Sequence, residues 1–258
     1  MLIDIDGTDI YIVEPEIQGT EKTPALLFIH GAGGDASTWS LQTGFFKGKY
    51  PVYLMELPGH GGSGGSGEEE IPAYAEWVRK AVKRVVPDTP LALAGHSMGG
   101  AIVQELALNP PPNLKGMVLV GTGAKLGVMP DIFEMLANSP ESFFRTIGVA
   151  AFHLDTPQET REPFIEAIRK CPPSIITGDF KACDRFDIRE RLRDIRLSAL
   201  ILCGDRDKLT PVKYSEYLHE NLTASRLEII GGAGHMVMVE QAALVNRALE
   251  RFLEDIEA

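Results

Sequence analysis

The amino-acid sequence predicts an α/β fold: a mostly parallel central sheet flanked by helices, with a helical insertion between two late strands. Short apolar runs alternate with segments of helical periodicity along most of the chain. The runs are apolar at consecutive positions, as is typical of strands that are buried on both faces. The alternation stops over residues 124–192, which carry helical segments and no convincing strand, and it then resumes.

The first part of the chain contains five predicted strands and two predicted helices. Apolar residues recur at helical spacing from Ile71 to Val86, so a helix is predicted there. A second helix is predicted over Ala101–Leu108, and it ends where Asn109 is followed by three prolines. The predicted strands are Ile10–Val13, Ala25–Ile29, Val52–Leu57, Leu91–Ala94 and Gly116–Val120.

The remainder of the chain is predicted to hold the insertion and the end of the sheet. Beyond the insertion, Leu197–Cys203 and Arg226–Ile230 are predicted strands, and Val237–Ile256 is predicted to be one long terminal helix. The domain prediction is therefore a core of residues 1–123 and 193–258 with a helical cap of residues 124–192. The predicted cap helices are Asp131–Ala137, Glu141–Ala151, Gln158–Arg169 and Ile175–Cys183.

Length and charge limit the kinds of partner that we expect. A chain of 258 residues fits one large domain, or a core with one insertion. The formal net charge of −11 disfavours nucleic acid and anionic membranes, because both require a basic face. No run of about 18 apolar residues occurs, so no membrane span is expected. The first residues do not resemble a signal peptide, so we expect a cytoplasmic protein.

The cysteines indicate neither a disulfide framework nor a metal site. Cys171, Cys183 and Cys203 are an odd number of widely spaced residues, and no CxxC pair is present. Cys203 lies in an apolar run and is predicted to be a small buried residue. We expect no metal ion and no organic cofactor.

A Gly-x-Ser-x-Gly pattern occurs twice, and the context distinguishes the two copies. Ser97 directly follows a predicted strand and directly precedes a predicted helix, which is the strand–turn–helix setting of a nucleophilic serine. The turn strains the backbone, and the helix N-terminus can stabilise developing negative charge. Ser63 lies six residues beyond its strand in a Gly/Ser-rich stretch, so it is interpreted as a loop serine.

A glycine-rich segment after an early strand is typical of an oxyanion hole. The strand Ala25–Ile29 leads into residues 30–34, with the sequence His-Gly-Ala-Gly-Gly, which can free backbone N–H groups to point into a site. Acyl transfer passes through a tetrahedral oxyanion, which two such donors would stabilise. The expected donors are the N–H groups of Ala32 and Met98. His30 is expected to brace this loop.

A serine nucleophile needs a base, and the base needs an orienting acid. Of six histidines, His235 is the predicted base, because it lies in a glycine-rich loop between a strand and the last helix. His96, the neighbour of Ser97, is expected to point away from it. Asp205 and Asp207 both follow the strand Leu197–Cys203, and spacing alone does not choose between them.

Together these segments resemble the α/β-hydrolase superfamily, in particular its single-domain serine esterases with a helical lid. The resemblance implies an α/β-hydrolase fold, and it favours Asp207 as the triad acid, in the chain order Ser97, Asp207, His235. It also argues against relatives that use an aspartate nucleophile. The motifs that carry it are His30-Gly31-Ala32-Gly33, Leu57-Pro58-Gly59-His60-Gly61, Gly95-His96-Ser97-Met98-Gly99-Gly100, Gly204-Asp205-Arg206-Asp207 and Gly234-His235.

The resemblance implies hydrolysis of a small-molecule carboxylic ester, with a thioester or a lactone as variants. One alternative is cleavage of a carbon–carbon bond, which would require cap arginines to anchor a substrate carboxylate. Relatives of that kind often carry Asn before the nucleophile, where this chain has His96, so the esterase is favoured. A slow-turnover ligand receptor is the other alternative. The sequence sets neither the acyl preference nor the oligomeric state. The candidate arginines are Arg145, Arg161, Arg169 and Arg185.

Overall fold

The computed structural model of the protein describes residues 1–17 and 23–257. Their strands form one eight-stranded sheet in the order β1-β2-β4-β3-β5-β6-β7-β8. Strands β3 to β8 run parallel, whereas β1 and β2 form an antiparallel hairpin at one edge. The strands are β1 (Leu2–Ile5), β2 (Thr8–Val13), β3 (Ala25–Ile29), β4 (Val52–Met55), β5 (Leu91–His96), β6 (Leu114–Val120), β7 (Ser198–Gly204) and β8 (Ser225–Ile230).

Helices cover both faces of this sheet. All residues of β3 and β5 are buried, and their side chains alternate between two apolar clusters. Leu27 and Ile29 pack with α2, α3 and α8 on one face, while Leu26 and Phe28 pack with the residues of α1 and α10 on the other. The core helices are α1 (Ser40–Phe46), α2 (Ile71–Val85), α3 (Met98–Ala107), α8 (Val212–Asn221), α9 (Val237–Glu240) and α10 (Ala242–Glu257).

Four further helices lie between β6 and β7. Each of the four contributes to a separate apolar cluster that contains Ile132, Phe143, Ile168 and Ile176. The four helices occupy the region that the sequence predicts to be helical, and each of their ends lies within two residues of the predicted one. They are α4 (Pro130–Asn138), α5 (Pro140–Ala150), α6 (Gln158–Lys170) and α7 (Pro173–Arg185).

The strand order reverses at β3, because β4 pairs with one side of β3 and β5 with the other. The loops that follow β3 and β5 therefore leave the sheet in opposite directions and open a crevice at its carboxyl edge. The loop after β3 begins at His30, and the turn after β5 begins at Ser97. This topology brings together two motifs that are more than sixty residues apart.

The predicted α/β fold with a mostly parallel sheet is confirmed, whereas one strand was missed and the single terminal helix is wrong. Strand β1 was not predicted, although Ile3 and Ile5 alternate with exposed residues in it. The terminal helix is not continuous, because the chain breaks at Gln241 and separates α9 from α10. Among the described residues, no helix is long and apolar enough to cross a membrane.

Candidate active site

Ser97 occupies a strained turn between β5 and α3. Its φ of 53° and ψ of −116° lie in a region that non-glycine residues rarely adopt. Four hydrogen bonds hold it there. The N–H of Ser97 donates to Val120 O at 2.9 Å, and the carbonyl of Ser97 accepts from Thr122 Oγ1 at 2.8 Å, from Gly100 N at 2.9 Å and from Ala101 N at 3.2 Å. The neighbouring strand β6 and its loop therefore fix the conformation of Ser97.

Glycines around Ser97 allow α3 to approach the sheet closely. A Cβ at Gly95 would lie 2.2 Å from Gly99 O, and a Cβ at Gly99 would lie 2.5 Å from Ile29 O. Neither distance is possible for a real side chain, so both positions require glycine. The N-terminus of α3 thus contacts the end of β3, next to the loop that begins at His30.

Asp207 and His235 form a buried pair. His235 Nδ1 donates to Asp207 Oδ2 at 2.9 Å. Asp207 also accepts from Leu209 N, Thr210 N and Thr210 Oγ1 at 2.8–2.9 Å. Burial opposes ionisation of this carboxyl, but His235 and the donors from Thr210 outweigh it and lower the pKa of Asp207. An ionised Asp207 fixes the tautomer in which His235 Nδ1 carries a proton.

The structure distinguishes the two candidate aspartates. Asp207 contacts the imidazole, whereas Asp205 Oδ1 accepts the N–H of Gly232 at 2.8 Å and that of Ala233 at 3.4 Å. Asp205 therefore braces the loop that carries His235 and does not touch the ring.

Thr210 is a site residue that the sequence reasoning missed. Its hydroxyl lies 2.8 Å from Asp207 Oδ2 and 3.2 Å from His235 Nδ1. A hydroxyl that donates to the carboxylate can still accept from the ring N–H. The spacing Asp-x-x-Thr after a strand, in which the aspartate also accepts backbone N–H groups of the turn, is a local signal that could have identified it.

Two other histidines support the site. His30 Nε2 accepts the N–H of Leu57 at 3.1 Å, and its Nδ1 donates to Gly31 O at 2.8 Å, so the expected bracing role is confirmed. His96 Nε2 donates to His235 O at 3.1 Å, and the two rings lie 4.5 Å apart. His96 thus lines the cavity beside His235. Burial, together with His235, holds the pKa of His96 well below its ordinary value, so this ring is neutral.

Ser97 and His235 line one cavity of about 330 Å³. Among the described residues, no hydrogen bond joins Ser97 Oγ to His235, and catalytic hydrogen bonds are often long or poorly aligned until substrate binds. Ala32 also lines the cavity, and a Cβ at the preceding Gly31 would lie 3.2 Å from Ser97 Cβ. The loop after β3 therefore passes directly beside the serine. Met98, the other expected oxyanion donor, follows Ser97 as the first residue of α3.

The rest of the cavity is largely apolar and is formed in part by the inserted helices. The four candidate arginines are not among its described lining residues. Arg161 donates to backbone carbonyls, Arg169 pairs with Glu141 and Arg185 pairs with Glu70. The charged side chains of the lining, other than histidines, are Lys208 and Lys213. The apolar lining residues from the insertion include Ile132, Ile147, Phe164, Ile168 and Phe180.

The second Gly-x-Ser-x-Gly copy has a structural role. Ser63 Oγ donates to Glu56 O at 2.7 Å and accepts the N–H of Tyr11 at 2.9 Å. This hydroxyl ties its loop to the edge of the sheet, as expected for a loop serine. Cys203 is buried in β7, as its apolar context predicts.

Known proteins resemble the chain over nearly its whole length. A 3-oxoadipate enol-lactonase of Acinetobacter baylyi is 26% identical over 249 residues, covering 92% of this chain and 91% of that protein. A pimeloyl-[acyl-carrier protein] methyl ester esterase of Neisseria meningitidis serogroup A is 26% identical over 242 residues, covering 88% of this chain and 76% of that protein. The structure of a thermophilic esterase superimposes with a TM-score of 0.87 at 33% identity, covering 99% of this chain and 97% of that one.

The sequence profile of the alpha/beta hydrolase family matches residues 26–248. This range begins in β3 and ends in α10, so it contains the serine turn, the inserted helices and the His235 loop. The relatives described above are hydrolases, and the sheet order and the serine turn fit the same family. The chain therefore belongs to the alpha/beta hydrolase family.

Proposed function

We propose that the protein is a serine hydrolase that cleaves small carboxylic esters through an acyl-enzyme, with thioesters and lactones as related substrates. Ser97 Oγ attacks the carbonyl carbon while His235 Nε2 takes its proton. Asp207 orients His235 and stabilises the imidazolium that forms. The N–H groups of Ala32 and Met98 stabilise the oxyanion. His235 then protonates the leaving alcohol and later activates the water that releases the acid.

The observation that carries this proposal is the meeting of three segments at one cavity. The strained Ser97, the buried Asp207–His235 pair and the loop containing Ala32 come from different strand ends, yet Ser97, His235 and Ala32 all line the same space. A serine hydroxyl, a base with a fixed tautomer and free backbone donors together suit acyl transfer. Esterase and lactonase relatives support the same reaction class.

We further propose that residues 124–192 act as a cap over this cavity. Residues from α4, α5, α6 and α7 line it together with Ser97 and His235. Their apolar side chains would hold the acyl or alcohol part of the substrate, because small-molecule sites are mostly apolar with a few polar groups.

A burst assay tests the proposed function directly. We expect p-nitrophenyl acetate, butyrate and octanoate to give a stoichiometric burst followed by turnover, and Ser97→Ala to lose both. The dependence on chain length will measure the acyl subsite. Equal inertness of wild type and Ser97→Ala would contradict the simple esterase, and turnover that survives Ser97→Ala would contradict the acyl-enzyme.

A further inference from the structure

A buried carboxylate on a cap helix reaches into the core beside the active site. Asp179 lies in α7 and is fully buried. Its Oδ2 accepts the N–H of Gly33 at 2.7 Å and contacts His60 Nε2 at 2.8 Å, and its Oδ1 accepts the hydroxyl of Tyr74 at 2.6 Å. One side chain of the insertion thus contacts the loop after β3, the loop after β4 and helix α2.

The hydrogen bonds of His60 indicate that this contact is an ion pair. His60 Nδ1 donates to the carbonyl of Pro58 at 3.0 Å, and Nε2 donates to Asp179. Both partners are acceptors, so both ring nitrogens carry protons. Burial by itself lowers the pKa of His60, but the Asp179 carboxylate outweighs it and raises the pKa to about 10.

Stability alone does not explain a pair of this kind. The desolvation of two buried charges offsets much of their attraction, and apolar residues of similar volume are often at least as stabilising. Such a pair does impose a defined geometry, and here the geometry belongs to the loop that passes beside Ser97.

The two peptide groups that flank Ala32 are held from different sides. The Gly31 carbonyl, in the peptide group before Ala32, accepts from Gly34 N at 3.0 Å and from His30 Nδ1 at 2.8 Å. The Gly33 N–H, in the peptide group after Ala32, donates to Asp179. The core therefore fixes the Gly31–Ala32 peptide group, which contains the Ala32 N–H. The cap fixes the Ala32–Gly33 peptide group.

We propose that Asp179 is a positioning residue for the oxyanion hole: its bond to the Gly33 N–H holds the loop on the far side of Ala32, so that the Ala32 N–H, whose direction the Gly31 carbonyl sets, stays in place beside Ser97. This inference rests on the proposed function. The next residues of α7 toward the cavity, Phe180 and Cys183, belong to its lining. Docking of the cap therefore also anchors the loop after Ala32, and a cap that shifts away leaves Ala32 held from the Gly31 side alone.

Substitution of Asp179 tests the proposal, with Tyr74→Phe as the matched control. Asp179→Ala removes the acceptor of Gly33, and we expect kcat to fall about 10- to 100-fold while KM changes less than about twofold. Asp179→Asn, whose amide oxygen can still accept one bond, should retain more activity. Tyr74→Phe removes a bond to the other carboxylate oxygen, and we expect its kcat to stay within about threefold of wild type.

Two further readouts separate positioning from general damage. Trifluoromethyl ketones form a tetrahedral oxyanion with a serine nucleophile, so their affinity should fall by the same factor as kcat in Asp179→Ala, whereas affinity for the product acid should not change. The exchange rate of the Ala32 amide proton, measured by NMR without any turnover, should rise in both Asp179 variants but not in Tyr74→Phe.

The proposal would be overturned if the Asp179 variants had a lowered melting temperature but kept wild-type kcat, ketone affinity and Ala32 exchange. Asp179 would then be a structural residue only. Failure of the proposed function is distinguishable. In that case wild type would show no burst with any ester, while the exchange measurement would still report whether Asp179 orders the loop. If Asp179→Ala does not fold, the comparison of Asp179→Asn with Tyr74→Phe decides between the two outcomes.

Discussion

Individual side chains at this site differ in role even where they are close in sequence. Asp205 and Asp207 are two residues apart, follow the same strand and are both hydrogen-bonded, yet only Asp207 contacts the imidazole of His235. The difference arises because the chain turns after β7, which directs Asp207 toward His235 and Asp205 toward the backbone of the next loop. Their substitutions should therefore affect the reaction differently.

Asp207→Asn should lower kcat by about 10³- to 10⁴-fold, because an amide can donate to His235 Nδ1 and favour the wrong tautomer. Asp205→Asn is the matched control, and its kcat should fall less than about tenfold, since its amide oxygen can still accept from Gly232. Steady-state kinetics with p-nitrophenyl butyrate measure both. Similar losses in the two variants would mean that Asp207 has no special role.

The ion pair of His60 should make stability depend on pH. The pKa of His60 is about 10 in the folded protein and 6.5 in an unfolded chain, so the stabilisation is complete below pH 6.5 and is lost as the pH rises toward 10. Between about pH 7.5 and 8.5, the free energy of unfolding should fall by about 1.4 kcal/mol per pH unit from this group.

Urea unfolding of wild type and of the double variant His60→Gln/Asp179→Asn measures this slope. The variant removes both charges together, so no unpaired carboxylate remains in the core. The pH range stays below 9.0, the ordinary pKa of a thiol. Above that pH, the raised pKa values of Cys183 and Cys203 would add a slope of the same sign. An equal slope in the two proteins would show that His60 is not charged.

At the scale of elements, close contact of α3 with β3 determines where the serine turn lies. Gly99→Ala would place a Cβ 2.5 Å from Ile29 O, and backbone cannot retreat as a side chain can. We expect a loss of about 1–3 kcal/mol in the free energy of unfolding and a large loss of kcat, because Ser97 moves with α3. Gly44→Ala in α1 is the control, since no atom lies within 4 Å of its Cβ.

That control should raise the free energy of unfolding by about 0.5–1 kcal/mol, because alanine is favoured over glycine in a helix. Chemical denaturation measures the free energy of unfolding of each variant, and an assay with p-nitrophenyl butyrate measures its kcat. A Gly99→Ala protein as stable and active as wild type would refute the close-packing argument.

At the scale of the whole molecule, charge is distributed unevenly. The chain carries a net charge of −11. The described lining of the cavity nevertheless contains no Asp, Glu or Arg, and it contains two lysines, Lys208 and Lys213. Among the described residues, neither Lys208 nor Lys213 forms an ion pair, and Lys213 Nζ lies 5.8 Å from the centre of the Tyr214 ring. A cationic rim on an acidic protein should favour substrates with a negative charge remote from the ester.

The double variant Lys208→Gln/Lys213→Gln should lower kcat/KM for the p-nitrophenyl monoester of glutaric acid about three- to tenfold at low salt, and leave that for p-nitrophenyl butyrate unchanged. Added salt should lower the kcat/KM of wild type for the glutaric monoester toward that of the double variant. Equal effects on both esters would show that the lysines influence packing and not charge recognition. Both lysines are exposed, so the change should leave folding intact.

Local patterns were sufficient to predict most strands and helices. The apolar runs that became β3, β5, β6 and β7 were found within one or two residues, because strands buried on both faces consist mostly of consecutive apolar residues. The hairpin of β1 was missed even though Asp6-Gly7, with φ of 53° and 81°, is a turn signal visible in the sequence. The break at Gln241 could not be found locally, because the preceding Glu240 accepts the N–H of His153, which lies 87 residues earlier in the chain.

The sequence by itself determined the fold class and directed attention to Ser97 and His235, because short motifs between a strand and a helix carry that information. Only the tertiary structure decided which aspartate meets His235, that Thr210 joins them and that Asp179 binds the loop of Ala32. These contacts join residues 25 to 146 positions apart, and their partners depend on how strands and inserted helices pack. The domain boundaries and the roles assigned to the site residues stay predictions that the substitutions above can test.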